Sequence, residues 1–192
     1  LLAIMGGYAL AKFRFPGRNA VFVVIIGAIS VPGIALAVPQ FLLFAKLGLT
    51  NTPWAMIIPS LISPFGLYLM WIFSEQAVPQ ELLEAARVAG ASEFRTFWQI
   101  SLPLLAPGIV TTALFTIVAT WNNYFLPALL LDKAEMKTVP IMIAQLRAAD
   151  YSKFDLGKVY MFILLAILPV LLVYIFLSHY IVKGVTAGSV KG

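Results

Sequence analysis

The chain has 192 residues, 61% of them hydrophobic and 11% charged, with a mean hydropathy of +0.96. Soluble domains carry about 25% charged residues, so this composition excludes an ordinary soluble domain and points to an integral membrane protein. The net charge of +5 is no nucleic-acid signal, because basic residues gather near span ends through topology and anionic headgroups; the lack of cysteine excludes disulfides, thiolate metal sites and cysteine nucleophiles.

Residues 1–11 (LLAIMGGYALA) read as the last turns of a membrane helix, since a full span needs about 20 residues. No basic lead-in or cleavage site marks a signal peptide, and with Leu1 in place of Met the start reads as a truncation inside a longer protein. Ala3, Gly7 and Ala11 recur at a spacing that lets helices approach closely. Residues 12–19 (KFRFPGRN) carry Lys12, Arg14 and Arg18 without an acid, which places this turn on the cytoplasmic side. Residues 20–44 form a span interrupted by Pro32 and Pro39. Gln40 suits an interhelical or interfacial hydrogen bond, or else lines a pathway. A turn follows at 45–53, then a span over 54–74, broken by Pro59 and Pro64.

The segment 75–104 is different. It holds Glu81, Glu84, Arg87, Glu93 and Arg95, and each charge at the centre of a membrane helix costs about 2.5–3.5 kcal/mol. Yet its apolar residues keep helical spacing: Leu82, Leu83 and Ala86 on a first short helix, Phe94, Phe97 and Trp98 on a second. Pro79 suits a helix start, Gly90 a turn with positive φ, and Ser92 a cap. The pattern predicts helix, glycine turn, helix, held outside the bilayer.

Residues 105–131 form the next span. Thr112, Thr116, Thr120 and Asn123 fall within an arc of about 80° on a helix. With Asn122 they are candidate pathway residues, the alternative being hydrogen bonds that tie helices together. Residues 132–158 are the longest polar segment, within which Val139–Ala148 reads as a short amphipathic helix. The last span covers 159–182, kinked at Pro169, with His179 near its inner end as an interfacial residue. The tail KGVTAGSVKG alone reads as a flexible terminus. Seven Lys/Arg then lie inside and six outside, so the short 12–19 turn, not the total, sets the orientation. The expected architecture is all-α: one polytopic transmembrane domain over 1–192, with spans at about 1–11 (partial), 20–44, 54–74, 105–131 and 159–182.

No phosphate loop, HExxH, GxSxG or CxxC run is present. Glu81 and Glu84 have no partner acid to suggest hydrolysis. No catalytic and no metal-ligating residue is therefore assigned, and the chain reads as a non-enzyme.

Glu84-Ala85-Ala86, three residues, Gly90-Ala91, and then Phe97, Ile100, Leu102-Pro103 and Pro107 resemble the cytoplasmic loop of permeases of ATP-binding-cassette (ABC) importers. The family usually has Asp before the glycine, where this chain has Ala89, so a charge and its contacts are missing. The tail, YALAKFRFPGR at 8–18 and TWNNYFLPALL at 120–130 are similar to counterparts in the sugar-importing, maltose-type branch. The resemblance implies the type I importer permease fold in a bacterial-type inner membrane, with 75–104 as the coupling loop. Glu84, Ala85, Ala86, Gly90, Ala91, Phe94, Phe97, Ile100, Leu102 and Pro103 would then serve ATPase coupling. Lys183, Gly184, Thr186, Gly188 and Lys191 would be tail contacts. The implied partners are two cytoplasmic ATPase subunits, a second related permease, an extracytoplasmic solute-binding protein and membrane lipid, with no nucleic acid. ATP and Mg would sit on the ATPase and no cofactor on this chain. The alternatives are an ion-gradient secondary transporter, which normally carries intramembrane acids or histidine, or an ABC permease for a non-sugar solute.

Overall fold

The computed structural model describes residues 1–148 and 155–189, with side chains through 148 and over 155–177. The described residues are helices and loops without strands: α1 (Leu2–Lys12), α2 (Arg18–Ser30), α3 (Gly33–Lys46), α4 (Trp54–Ser60), α5 (Pro64–Ala77), α6 (Gln80–Val88), α7 (Glu93–Thr96), α8 (Leu102–Leu104), α9 (Ala106–Trp121), α10 (Phe125–Leu130), α11 (Val139–Arg147) and α12 (Leu156–Ser189). A π-helical turn, Phe97–Ser101, joins α7 to α8. Trp54–Ala77 and Leu156–Leu177 are each long and apolar enough to cross a membrane. Two broken pairs meet the same test, Arg18–Ser30 with Gly33–Lys46 and Glu93–Leu104 with Ala106–Trp121.

Prolines act unequally. The chain leaves the helix at Val31 and Pro32, where Pro32 adopts the extended backbone of a cap. Pro39, Pro59 and Pro169 instead lie inside helices. Each removes one backbone donor, which leaves the helix continuous where the opened turn can be re-satisfied. The backbone of α12 runs through 183–189, so the tail up to Ser189 is helical.

The contacts divide the chain into two compact units. Among the described residues, the first comprises 1–30, 62–116 and 177–189. Its main contact is α1 against α5. Gly7 makes it possible: a Cβ there would lie 2.7 Å from the Met70 Cβ and 2.7 Å from the Trp71 amide nitrogen. At the end of α1, Arg18 folds back, its Nε donating to the Leu10 carbonyl at 2.6 Å and an Nη to Ala11 at 3.4 Å. The guanidinium thereby serves carbonyls that a helix C-terminus leaves unpaired. It also reaches Glu75 of α5 at 3.1 Å, and Lys12 lies 3.8 Å from the same carboxylate. Aromatic contacts of Phe22 with Tyr68 and Trp71 hold α2 to α5.

Among the described residues, the second unit comprises 31–61, 117–148 and 155–176. Phe44, Ala55, Leu130 and Leu131 form its apolar centre, with α10 packed on α3. Asn51 sits in the left-handed region at φ +57, which Asn tolerates better than most residues. Its side-chain carbonyl accepts from the Asp132 and Lys133 amides at 2.5 and 3.3 Å, and its own amide nitrogen donates to Leu130 at 2.9 Å. This staples the 47–53 turn to the end of α10. Trp121 donates its indole N–H to the Ala166 carbonyl at 2.9 Å, tying α9 to α12. The short helix expected over Val139–Ala148 is α11.

Two stability outcomes follow. Gly7→Ala overpacks a backbone contact, which typically costs about 1–3 kcal/mol, and lowers the thermal midpoint of the detergent-solubilised protein. Gly27→Ala, which meets nothing within 4 Å, does not lower it. Asn51→Gly keeps the backbone conformation but loses the side-chain bonds, at about 0.5–1.5 kcal/mol each. Asn51→Ala adds the left-handed strain and unfolds at lower temperature still, measured in the same melting experiment.

Candidate functional site

The polar segment 79–104 folds as a platform on the first unit. Pro79 caps α6 with an extended backbone (φ −62, ψ 141). Glu81 in the first turn and Arg87 in the last suit the helix dipole. At the far end Ala91 N–H bonds to the Ala86 carbonyl at 3.0 Å and Gly90 N–H to Arg87 at 2.9 Å. With Gly90 at φ +78 this is a Schellman stop, in which two carbonyls of the last turn find donors. Ser92 then caps α7, its hydroxyl accepting from the Arg95 amide at 3.3 Å. Arg87 and Glu93 close the corner at 2.6 Å. The hydrogen bond to the Glu93 carboxylate, and its charge, raise the Arg87 pKa from its ordinary value. Both partners are exposed, so the pair fixes the angle between α6 and α7 rather than adding much stability.

The floor of the platform is apolar. Leu83, only 1% exposed, and Phe97 join Tyr8, Met70, Val78 and Leu105 in one buried cluster. Tyr8 is its hub: its ring lies 4.9 Å from Phe97 and 6.0 Å from Phe13. Its hydroxyl accepts from Ser101 Oγ at 3.1 Å, so the one polar group that Tyr8 brings into the cluster is paired. The π-helical turn carries both Phe97 and Ser101, which lets one segment point a ring and a hydroxyl at the same tyrosine.

Among the coupling candidates, Ala86 and Phe97 face inward and Ala91, Ile100 and Leu102 are half-buried. Glu84, Ala85, Gly90, Phe94 and Pro103 are exposed. Two apolar faces differ from expectation. Leu82 is exposed while its neighbours Leu83 and Ala86 are buried, and Phe94, 68% exposed, stands outside with Trp98, their rings 5.9 Å apart. A short helix resting on a narrow seat buries a stripe rather than a full face. The outer surface of the platform therefore displays Leu82, Glu84, Val88, Phe94 and Trp98.

The other candidates are not gathered into one place. Thr112 is buried beside α5, with its hydroxyl unpaired among the described residues. Thr116 is exposed and donates to the Thr112 carbonyl at 2.8 Å. Thr120, Asn122 and Asn123 are exposed. The helix ends at Trp121, so the helical arc drawn from the sequence does not extend to Asn123. Lys183, Gly184, Thr186 and Gly188 fall on the helical backbone of α12; their side chains, and all of Lys191, lie outside the described residues, as does the side chain of His179. Sequence reasoning missed the Tyr8–Ser101 pair, 93 positions apart, for which no local signal exists. It also missed the capping role of Arg18.

Comparison with known proteins matches the sequence to a transport family. Residues 3–186 match the family described as "Binding-protein-dependent transport system inner membrane component". The chain is 34% identical to the arabinooligosaccharides transport system permease protein AraQ of Halalkalibacterium halodurans, covering 100% of this chain and 68% of that protein. It is 34% identical to the lactose transport system permease protein LacG of Rhizobium radiobacter (100% and 68%). It is 30% identical to the trehalose/maltose transport system permease protein MalG of Thermococcus litoralis (100% and 69%). The chain thus spans about two thirds of the length of these relatives. A match over nearly all of its residues, with an all-helical, span-bearing structure, shows that this chain belongs to the binding-protein-dependent transport system inner membrane components.

Proposed function

We propose that this chain is the permease subunit through which an ATP-driven ABC importer passes a sugar or oligosaccharide delivered by a solute-binding protein. The observation that carries the reading is the platform of α6 and α7, seated on α1 and α5 with an apolar and acidic outer surface that no described residue of this chain covers. The names of its relatives, which transport arabinooligosaccharides, lactose and trehalose or maltose, support a carbohydrate solute. The chain would be multi-pass in a bacterial-type inner membrane and would not hydrolyse ATP itself. ATP and Mg would sit on a pair of separate ATPase subunits, and a second related permease would complete the pathway.

In this mechanism the ATPase pair grips the outer surface of the platform. Closure on ATP moves α6 and α7 as one body, because the Schellman stop, the Ser92 cap and the Arg87–Glu93 pair leave the corner little freedom. The buried seat of Leu83 and Phe97 passes that motion to α1 and α5, and so shifts the population between two states of the bundle. Thr112, Thr116, Thr120, Asn122 and Asn123 are the proposed pathway residues, and the tail from Lys183 a proposed second contact with the ATPase. An ion-gradient carrier remains the contrasting class, but the spans 20–44, 54–74 and 105–131 hold no Asp, Glu or His.

The experiment compares Glu84→Lys and Gly90→Val. Glu84 is exposed, and its local electrostatic role in α6 is worth less than about 1 kcal/mol. Gly90 has open space around it, so valine there meets only backbone strain of about 1–2 kcal/mol. Both variants reach the membrane at near-normal levels, copurify less ATPase or hydrolyse ATP without matching uptake. Normal copurification and a normal ratio of hydrolysis to uptake in both would remove the platform as the coupling element.

A further inference from the structure

Between the end of α1, the 12–19 turn, α5 and α6 lies a cleft of about 590 Å³. Its charged walls are Lys12, Arg14, Arg18, Arg87, Glu75 and Glu84, four cations against two carboxylates. The pairing within it is incomplete. Glu75 is shared between Arg18 at 3.1 Å and Lys12 at 3.8 Å, so one negative charge faces two positive ones. Lys12 is only 6% exposed, and a shielded ammonium with one distant acceptor is poorly compensated. Arg14 has no carboxylate within 4 Å among the described residues. Arg87 alone has a close partner outside the cleft, Glu93.

The place of the cleft in the chain narrows what it takes. Glu75 lies two residues from the end of the candidate span Trp54–Ala77, which puts the cleft at the level of lipid headgroups. The helix that leaves it, α2, is apolar from Val21 onward and has no buried residue, with Val21 and Val24 exposed. Exposed Phe15 sits beside Arg14. A basic cleft opening onto an apolar helix that packs on α5 through Phe22 and is otherwise largely exposed among the described residues matches a molecule with an anionic head and acyl chains, and basic pockets at this depth hold acidic headgroups.

We propose that this cleft is a binding site for the phosphate of an anionic phospholipid headgroup, with Arg14 as the principal ligand and the incompletely paired Lys12 as a second. Glu84 on the opposite wall limits the site to one phosphate and links its occupancy to α6, so a bound lipid steadies the platform. The site rests on the membrane placement of the family, not on ATPase coupling, and its readout is lipid retention, which does not depend on transport.

The test counts lipid by native mass spectrometry on the full permease, alone and in its assembled complex. Phosphatidylglycerol or phosphatidylcholine with the same acyl chains is supplied in mixed micelles. Phosphatidylglycerol is retained in preference, and Arg14→Gln weakens its retention about fivefold, the worth of one basic group at an anionic surface. Arg14 is exposed and unpaired among the described residues, so this variant keeps the fold. Arg95→Gln removes an equal charge from the platform outside the cleft and leaves retention unchanged. Equal retention of the two lipids, or an equal loss in the two variants, overturns the site. Displacement of phosphatidylglycerol by inorganic phosphate alone would assign free phosphate as the ligand and overturn the lipid. Loss of the lipid when the ATPase is added would give the cleft to a protein partner and overturn it equally.

Discussion

Helix α1 comes against α5 at Gly7, where a single Cβ would meet the backbone of Trp71, and the platform depends on that closeness. Tyr8, the next residue, can then enter the cluster with Met70 and Val78 of the α5 side and meet Phe97 and Leu83 from the polar segment. Each large apolar side chain buried there contributes about 1.5–3 kcal/mol. The exposed ion pairs contribute far less. The polar helices are therefore held by what they bury, and their charged side chains stay at the surface.

That division explains which features could be read from the sequence. The helix start at Pro79, the glycine stop and the Ser92 cap are local, because each depends on backbone geometry within four or five residues. Facing is not local. Leu82 and Leu83 differ by one position, and which of them is buried depends on where α5 and α1 lie. Phe94 and Phe97 look equivalent at helical spacing, but a π-helical turn, for which the residues carry no distinct signature, puts Phe97 on Tyr8 and leaves Phe94 outside. The breaks in the spans were partly legible. Pro32 caps a helix and Pro39 lies inside one; a proline in the sequence marks a missing donor, not whether the helix ends there.

The basic 12–19 turn illustrates how one residue type can hold different roles. Its three cations look alike as a topological signal. Arg18 is spent on the carbonyls of α1 and on Glu75, Lys12 is shielded beside the same carboxylate, and Arg14 is unpaired among the described residues. A count of charges describes all three equally, whereas the hydrogen bonds separate a structural cation from one available to a ligand.

The central claim is that the outer surface of α6 and α7 is where an ATPase grips this chain. The protein has no cysteine, and Val88 is 91% exposed on that surface, so Val88→Cys gives one defined reporter. With a short thiol-to-amine cross-linker in native membranes, the account predicts an adduct of Val88→Cys with the ATPase subunit, its yield changing between nucleotide-free and ATP-bound states. A cysteine at Val24, exposed on α2, would give none. An ATPase adduct from Val24→Cys but not from Val88→Cys would contradict the account.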